Sequence, residues 1–161
     1  MTRLYLRSSV AAGQPWSRGD GLEKRLHQAA EGGDARSQCN LGILYGNGLD
    51  DNGHAVEANR PLAVRWLLAA AEQGLAPAQV KLAEAYAEEP DISGSHATAC
   101  GWFLLASRGL HGVHRHRARS GYERIVSRLT PAQITAASRF ARDWTPNAAK
   151  TSCRSQITAK L

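Results

Sequence analysis

The chain is poor in the residues that would commit it to several common ways of working. Aromatics make up only 6% of its 161 residues. That is too few for a β-sandwich, and with alanine abundant it favours helices packed through small side chains. The three cysteines, Cys39, Cys100 and Cys153, are widely spaced and include no CxxC pair. An odd, scattered set builds neither a disulfide framework nor a zinc knuckle. No stretch approaches the roughly 20 apolar residues of a membrane span, and Arg7 interrupts any apolar run at the N-terminus. Residues 1–19 therefore read as an extended or disordered leader, and a cytoplasmic location is the expectation. GxSxG, HExxH and Walker patterns are all missing, so nothing calls for a catalytic nucleophile, a metal or a cofactor.

Acidic residues are missing from one end. Residues 1–110 hold 10 Lys/Arg and 12 Asp/Glu, whereas residues 111–161 hold 10 Lys/Arg and 2 Asp/Glu, so the net charge of +6 splits as −2 and +8. A basic third of this kind can meet nucleic acid, an anionic membrane or an acidic partner, though a solvated basic face is the plainer reading.

What is present is helical punctuation. Asp20 reads as the N-cap of a first helix with Leu22, Leu26, Ala29 and Ala30 on one face, stopped by Gly32-Gly33. A second helix is expected over 34–45, with Ala35, Gln38, Leu41, Gly42 and Tyr45 as its packed stripe and Gly46 and Gly48 ending it. Asn59-Arg60-Pro61 starts a third, whose proline sits where a missing N–H costs nothing. Its apolar face is Leu62, Ala63, Trp66, Leu67, Ala70 and Ala71, closed by Gly74. Further helices follow over 76–88, 96–108 (Ala99, Trp102, Phe103 and Ala106 inward, then Gly109) and 113–129. Thr130-Pro131 opens a last one to Trp144, and 145–161 reads as a flexible tail.

The chain also copies itself. Residues 29–45 and 70–86 agree at eight of seventeen positions at an offset of 41: Ala29/Ala70, Ala30/Ala71, Glu31/Glu72, Gly33/Gly74, Ala35/Ala76, Gln38/Gln79, Leu41/Leu82 and Tyr45/Tyr86. A period of this size means stacked supersecondary units, each burying a face its neighbour completes. The unit is Ala-x-Ala-x-x-Leu-Gly-x-x-Tyr, a Gly-rich loop, then Ala-x-x-Trp and Ala-Ala-x-x-Gly. It resembles the Sel1-like repeat family, relatives of tetratricopeptide repeats. The first copy carries Ala35, Leu41, Gly42, Tyr45, Gly48, Ala63, Trp66, Ala70, Ala71 and Gly74. The second carries Ala76, Leu82, Tyr86, Ala99, Trp102, Ala106 and Gly109. The resemblance implies an all-α fold, a short right-handed α-solenoid of antiparallel helix pairs with terminal caps. It covers a half-repeat at 20–33, full repeats at 34–74 and 75–109, and a C-terminal cap at 110–144. The first loop holds a five-residue insertion, since Tyr45 to Ala63 spans 18 positions and Tyr86 to Ala99 spans 13. Gly42 becomes Ala83 in the second copy, which should then pack less closely.

Few residues invite chemistry. Asp50-Asp51-Asn52-Gly53 has the look of a calcium loop, but Gly48 and Asn59 fall at its first and last ligand positions, where carboxylates are needed; a surface loop fits better. His111, His114 and His116 cluster without a fourth ligand, and Arg115 and Arg117 beside them repel a cation. Arg115, Arg117, Arg119, Arg124 and Arg128 read as spread around their helix, with only Tyr122 as an aromatic neighbour, which disfavours nucleic-acid binding. The expected function, implied by the resemblance, is non-catalytic: an adaptor or scaffold holding a protein or peptide in a repeat groove. On the second helix, Arg36, Asn40, Ile43 and Asn47 lie off the packed stripe; the offset maps them onto Pro77, Lys81, Glu84 and Glu88. These seven polar or variable positions (Arg36, Asn40, Ile43, Asn47, Lys81, Glu84, Glu88) are the expected partner-reading surface. Electrostatic docking of the basic C-terminal helix is the alternative.

Overall fold

A computed structural model describes residues 20–48, 57–88 and 94–146. They form seven α-helices and no strand: α1 (Asp20–Glu31), α2 (Ala35–Asn47), α3 (Arg60–Glu72), α4 (Ala76–Ala87), α5 (Ser95–Gly109), α6 (Gly112–Val126) and α7 (Pro131–Asp143). The leader, the loop 49–56 with Asp50–Gly53, and Cys153 lie outside the described residues. No described helix is long and apolar enough to cross a membrane. The described residues divide into two compact units with the boundary between Ala70 and Ala71.

In the first unit, Leu26 and Ala30 of α1 pack with Leu41 and Leu44 of α2, flanked by Tyr45 and Trp66. The Asp34 carboxylate accepts from the Ser37 amide at 2.8 Å, capping α2 at its N-terminus. Gly48, at φ +67°, ends it. Gly46 does not: it lies inside α2, which runs to Asn47. Asn59 Oδ1 accepts from the Leu62 amide at 3.0 Å, starting α3 beside Pro61. His27 Nε2 and Tyr45 Oη are 2.7 Å apart, and the His27 ring meets Trp66 edge-on.

In the second unit α5 is the hub, packed against α4, α6 and α7. Ala99, Phe103 and Ala106 are at most 1% exposed and Trp102 is 5% exposed, as their spacing predicts. Thr130 and Gln133 form a reciprocal capping box at the start of α7, which satisfies two otherwise orphan amides. Two expectations need correcting. Gly109 belongs to α5, whose C-cap is Leu110, so the helix-ending glycine of the first copy has no counterpart there. The tail does not begin at 145: Pro146 lies against Gly74, its Cγ 3.4 Å from where a Cβ on Gly74 would stand. Arg108 ties α5 to α7 by donating to the Ala141 carbonyl.

The two copies share a joint that periodicity alone did not disclose. Gln38 Nε2 donates to Ala30 O at 3.0 Å, and Gln79 Nε2 donates to Ala71 O at 3.2 Å. The same carbonyls also accept from the amides of Gly33 and Gly74, each at 3.0 Å, and both glycines sit at φ +92°, a conformation that favours glycine. A buried glutamine thus reaches back eight residues to secure the end of the preceding helix. Gln79→Ala should cost about 1–2 kcal/mol, one buried hydrogen bond plus a small cavity, read by urea denaturation. Gln79→Glu should cost at least as much, because a carboxylate cannot donate to that carbonyl.

Burial pushes the Cys100 thiol up to about 11, and Cys39 is 1% exposed. A thiol that stays protonated and covered does not react. In a Cys153→Ser variant, a disulfide reagent at pH 8 should label neither cysteine until denaturant unfolds the chain; prompt labelling would contradict this packing.

Candidate protein-binding surface

The expected partner-reading positions do not form one exposed row. On α2, Arg36 and Asn47 are exposed, but Asn40 is 2% and Ile43 6% exposed. A partner cannot read side chains that far from solvent, so these two residues leave the surface. On α4, Glu88 is exposed while Lys81 and Glu84 are half-buried. The reason in the second unit is direct: the side of α4 that carries Lys81 and Glu84 faces α6. Glu84 takes two hydrogen bonds from Arg117, from Nε at 2.5 Å and from Nη2 at 3.0 Å, and a third from Lys81 Nζ at 3.1 Å. The eleven-residue stripe on the wheel is therefore a side on which the next helix packs. Reversing Lys81 and Glu84 would dismantle this triad, so it is no clean test of partner contact. With Arg117 half exposed, the clamp itself contributes modestly, of order 1 kcal/mol or less.

The basic helix is more ordered in its charges than its sequence suggests. Arg115 donates from Nε to the Leu110 carbonyl at 2.7 Å and lies 3.3 Å from His111 Nδ1. Arg119 pairs with Glu123 one turn on, at 2.9 Å. Arg117 and Arg124, seven residues apart, fall within about 20° of each other on a 3.6-residue helix, whereas Arg115 and Arg119 lie on the opposite flank and Arg128 lies in the turn beyond Val126, where α6 ends. Ala118, Gly121 and Ile125 form the buried side of α6. Among the described residues the guanidinium groups of Arg124 and Arg128 meet no hydrogen-bond or ion-pair partner, and both residues are exposed. Tyr122 is half-buried. On α7, Arg142 hydrogen-bonds Asp143 and through that bond holds its carboxyl below the usual range.

His111, His114 and His116 are all exposed. Among the described residues no group of three or more His, Cys, Asp or Glu side chains is arranged to hold a metal ion. An aromatic cluster lies on the other side of α5. Phe140, 39% exposed, meets Trp102 edge-on at 5.2 Å between centroids, and Trp144 meets the same indole at 6.2 Å. Gly101 lies beneath Phe140, a Cβ there falling 2.7 Å from its Cδ1. Because that ring borders solvent and can swing away, Gly101→Ala should change stability by less than about 1 kcal/mol, the gain in helix propensity offsetting the crowding.

Comparison with known proteins places this geometry. The Sel1 repeat matches residues 35–75 and 76–109. Among solved structures, a protective antigen of uropathogenic Escherichia coli displaying an SLR fold is similar over 76% of this chain, with 27% identity and a TM-score of 0.63. The similarity covers 24% of that protein's chain, so this chain spans about a quarter of its length. No curated protein matches. The fold is an α-solenoid built from helix pairs, of the Sel1-like kind. Proteins with such repeats generally mediate protein–protein interaction, and the family is one of non-catalytic scaffolds.

Proposed function

Because the chain is a Sel1-like repeat protein with two consecutive repeats, we propose that it is a non-catalytic adaptor that displays a protein-reading surface on the exposed sides of its repeat helices. One observation carries this: the framework is duplicated while the display is not. Gln38 and Gln79 make the same buried bond to Ala30 and Ala71, and Leu41 and Leu82 are both fully buried. At the same offset, Arg36 becomes Pro77 and Asn47 becomes Glu88. Interior bonds hold two copies to one geometry, and the exposed positions that differ between the copies are where specificity is written.

The reading positions then belong to each unit by itself, and the surface draws on Arg36 and Asn47 in the first and on Glu88 with the outer side of α6 in the second. Its mixed polar character suits a contact of modest affinity. The test is capture of a protein partner from nuclease-treated lysate at about 0.5 M salt, where exposed charges farther apart than a few ångströms are screened. Arg36→Glu and Glu88→Lys, built separately, should each leave the chain folded with its helix content intact, and at least one should release the captured protein. Capture of no protein above background by the wild-type chain at either low or high salt would refute the adaptor reading.

A further inference from the structure

Resting on the adaptor reading, we propose that Trp144–Thr145–Pro146 is an autoinhibitory strap, seated in a slot that takes an extended aromatic-x-proline segment of the partner. The helix α7 ends at Asp143, and the chain leaves it extended at Trp144, with φ −70° and ψ 138°. Pro146 restricts Thr145 before it to the extended region as well. Alternate side chains then turn inward. Trp144 Cη2 and Pro146 Cγ stand 3.8 Å and 3.4 Å from the Cβ position of Gly74, while Thr145 between them is exposed. The Trp144 indole also meets Trp102 of α5 edge-on, 6.2 Å between centroids. The Gly74 turn and Trp102 are thus the walls of the slot, and in, out, in is how an extended ligand lies on a surface.

The turn does not need this cover. Gly33 makes the matching turn of the first copy at the same φ of +92°, and no described atom lies within 4 Å of its Cβ position. The strap is also lightly held. Among the described residues neither Thr145 nor Pro146 has a hydrogen bond. The Trp144 amide donates to the Phe140 carbonyl at 3.0 Å, a cap of its own helix that survives when the strap lifts. The rest of α7 stays docked through buried Ala137 and Ala141 and the Arg108 bond to the Ala141 carbonyl. Two half-buried side chains therefore carry the strap, and their chemistry states what the slot accepts. A proline ring suits a bare glycine turn, because it brings no N–H that needs an acceptor and its φ is already fixed. An aromatic two residues before it takes the edge-on place against Trp102. Phe140, also edge-on to that indole and 39% exposed, continues the apolar surface to solvent. A tethered segment has an effective concentration of about a millimolar, so the strap masks the slot until a partner segment of the same pattern outcompetes it.

The probe is a fluorescein-labelled nonapeptide with Trp-Thr-Pro at its centre and glycine and serine elsewhere, titrated with the full chain and followed by anisotropy. Trp144→Ala/Pro146→Ala empties the slot. It should bind the peptide about tenfold or more tighter than the wild type, because the binding-competent fraction rises toward one. A version of the peptide with Ala-Thr-Ala at its centre should bind neither chain. Should the variant lose helix content, the wild type still decides. At about 1 mM peptide, enough to compete with the tether, its Gly74 amide resonance should shift and that of Gly33 should not. Equal affinities of the two folded chains would overturn the proposal. So would equal binding of the alanine peptide, or an unmoved Gly74 resonance in the wild type. A wild-type dimer in sedimentation that excess peptide dissolves would give the slot to a second copy's strap and overturn the assignment to a partner. A protein captured at high salt equally well by wild type and variant would leave the adaptor reading intact while removing the strap from it.

Discussion

Gly121→Ala should lower the stability of the chain by about 2–3 kcal/mol, the cost of overpacking a filled core. The glycine lies on the buried side of α6, and a Cβ there would run into Cε1 and Cζ of Phe103, with Cδ1 3.0 Å away. The ring cannot give way, because Phe103 is 1% exposed and is the largest fully buried side chain among the described residues. Replacing glycine with alanine in a helix ordinarily gains about 1 kcal/mol, so a net loss would be a direct sign of steric conflict. The expected fall in Tm is roughly 5–10 °C, read by circular dichroism. Phe103→Leu, destabilising alone, should make Gly121→Ala nearly neutral in its background. That coupling is what a double-mutant cycle isolates, and additive losses would show that the clash is not with this ring. The Gly101→Ala change, against a ring at the surface, is the built-in comparison.

Gly42→Ala should cost the first unit about 1–3 kcal/mol. Here the obstruction is α3: a Cβ would stand 2.5 Å from Cγ of Leu67, 2.8 Å from its Cδ2 and 3.1 Å from the Ala63 carbonyl oxygen. Cγ is a branch point near the backbone, and the carbonyl is backbone, so neither retreats without moving the helix. Leu67 is 4% exposed and has no solvent side to rotate into. The second copy carries Ala83 at the equivalent place, itself fully buried. Ala83→Gly should therefore destabilise through helix propensity and a small void, by about 1–2 kcal/mol. Opposite substitutions at matched positions would both be harmful. A Gly42→Ala variant that melts at or above the wild-type temperature would mean the first helix pair is more loosely packed than described.

Much of the fold was legible because its signals are local. The caps at Asp34, Asn59 and Thr130 each rest on one side chain meeting an amide three residues on, and such signals survive in a bare sequence. The role of Gly42 was legible too, since a glycine in an apolar helical stripe needs a close neighbour to explain it. The surface was less so. Asn40 and Glu84 look alike on a helical wheel, as polar residues off the packed stripe, but a solenoid helix has neighbours on more than one side. Only tertiary contacts tell which polar flank is covered. The arginines of α6 were opaque for the same reason: nothing in the sequence tells that Glu84 of α4 holds Arg117 or that the Leu110 carbonyl holds Arg115. Gln38 and Gln79 were visible as a match, yet a repeated glutamine gives no hint of its acceptor until the turn at φ +92° brings the Ala30 and Ala71 carbonyls within reach.

The contact between the Gly74 turn and the segment Trp144–Pro146 bears on the order in which the second unit is made. Repeat folds gain speed from contacts close in sequence, and α4 to α6 can assemble in that way as they are synthesised. The turn that opens the unit, however, is covered by residues about 70 positions further along. During synthesis the unit must hold that turn uncovered until its final helix has left the ribosome. A chain cut before Trp144 would keep all seven described helices and lose the contact of that turn with the segment Trp144–Pro146.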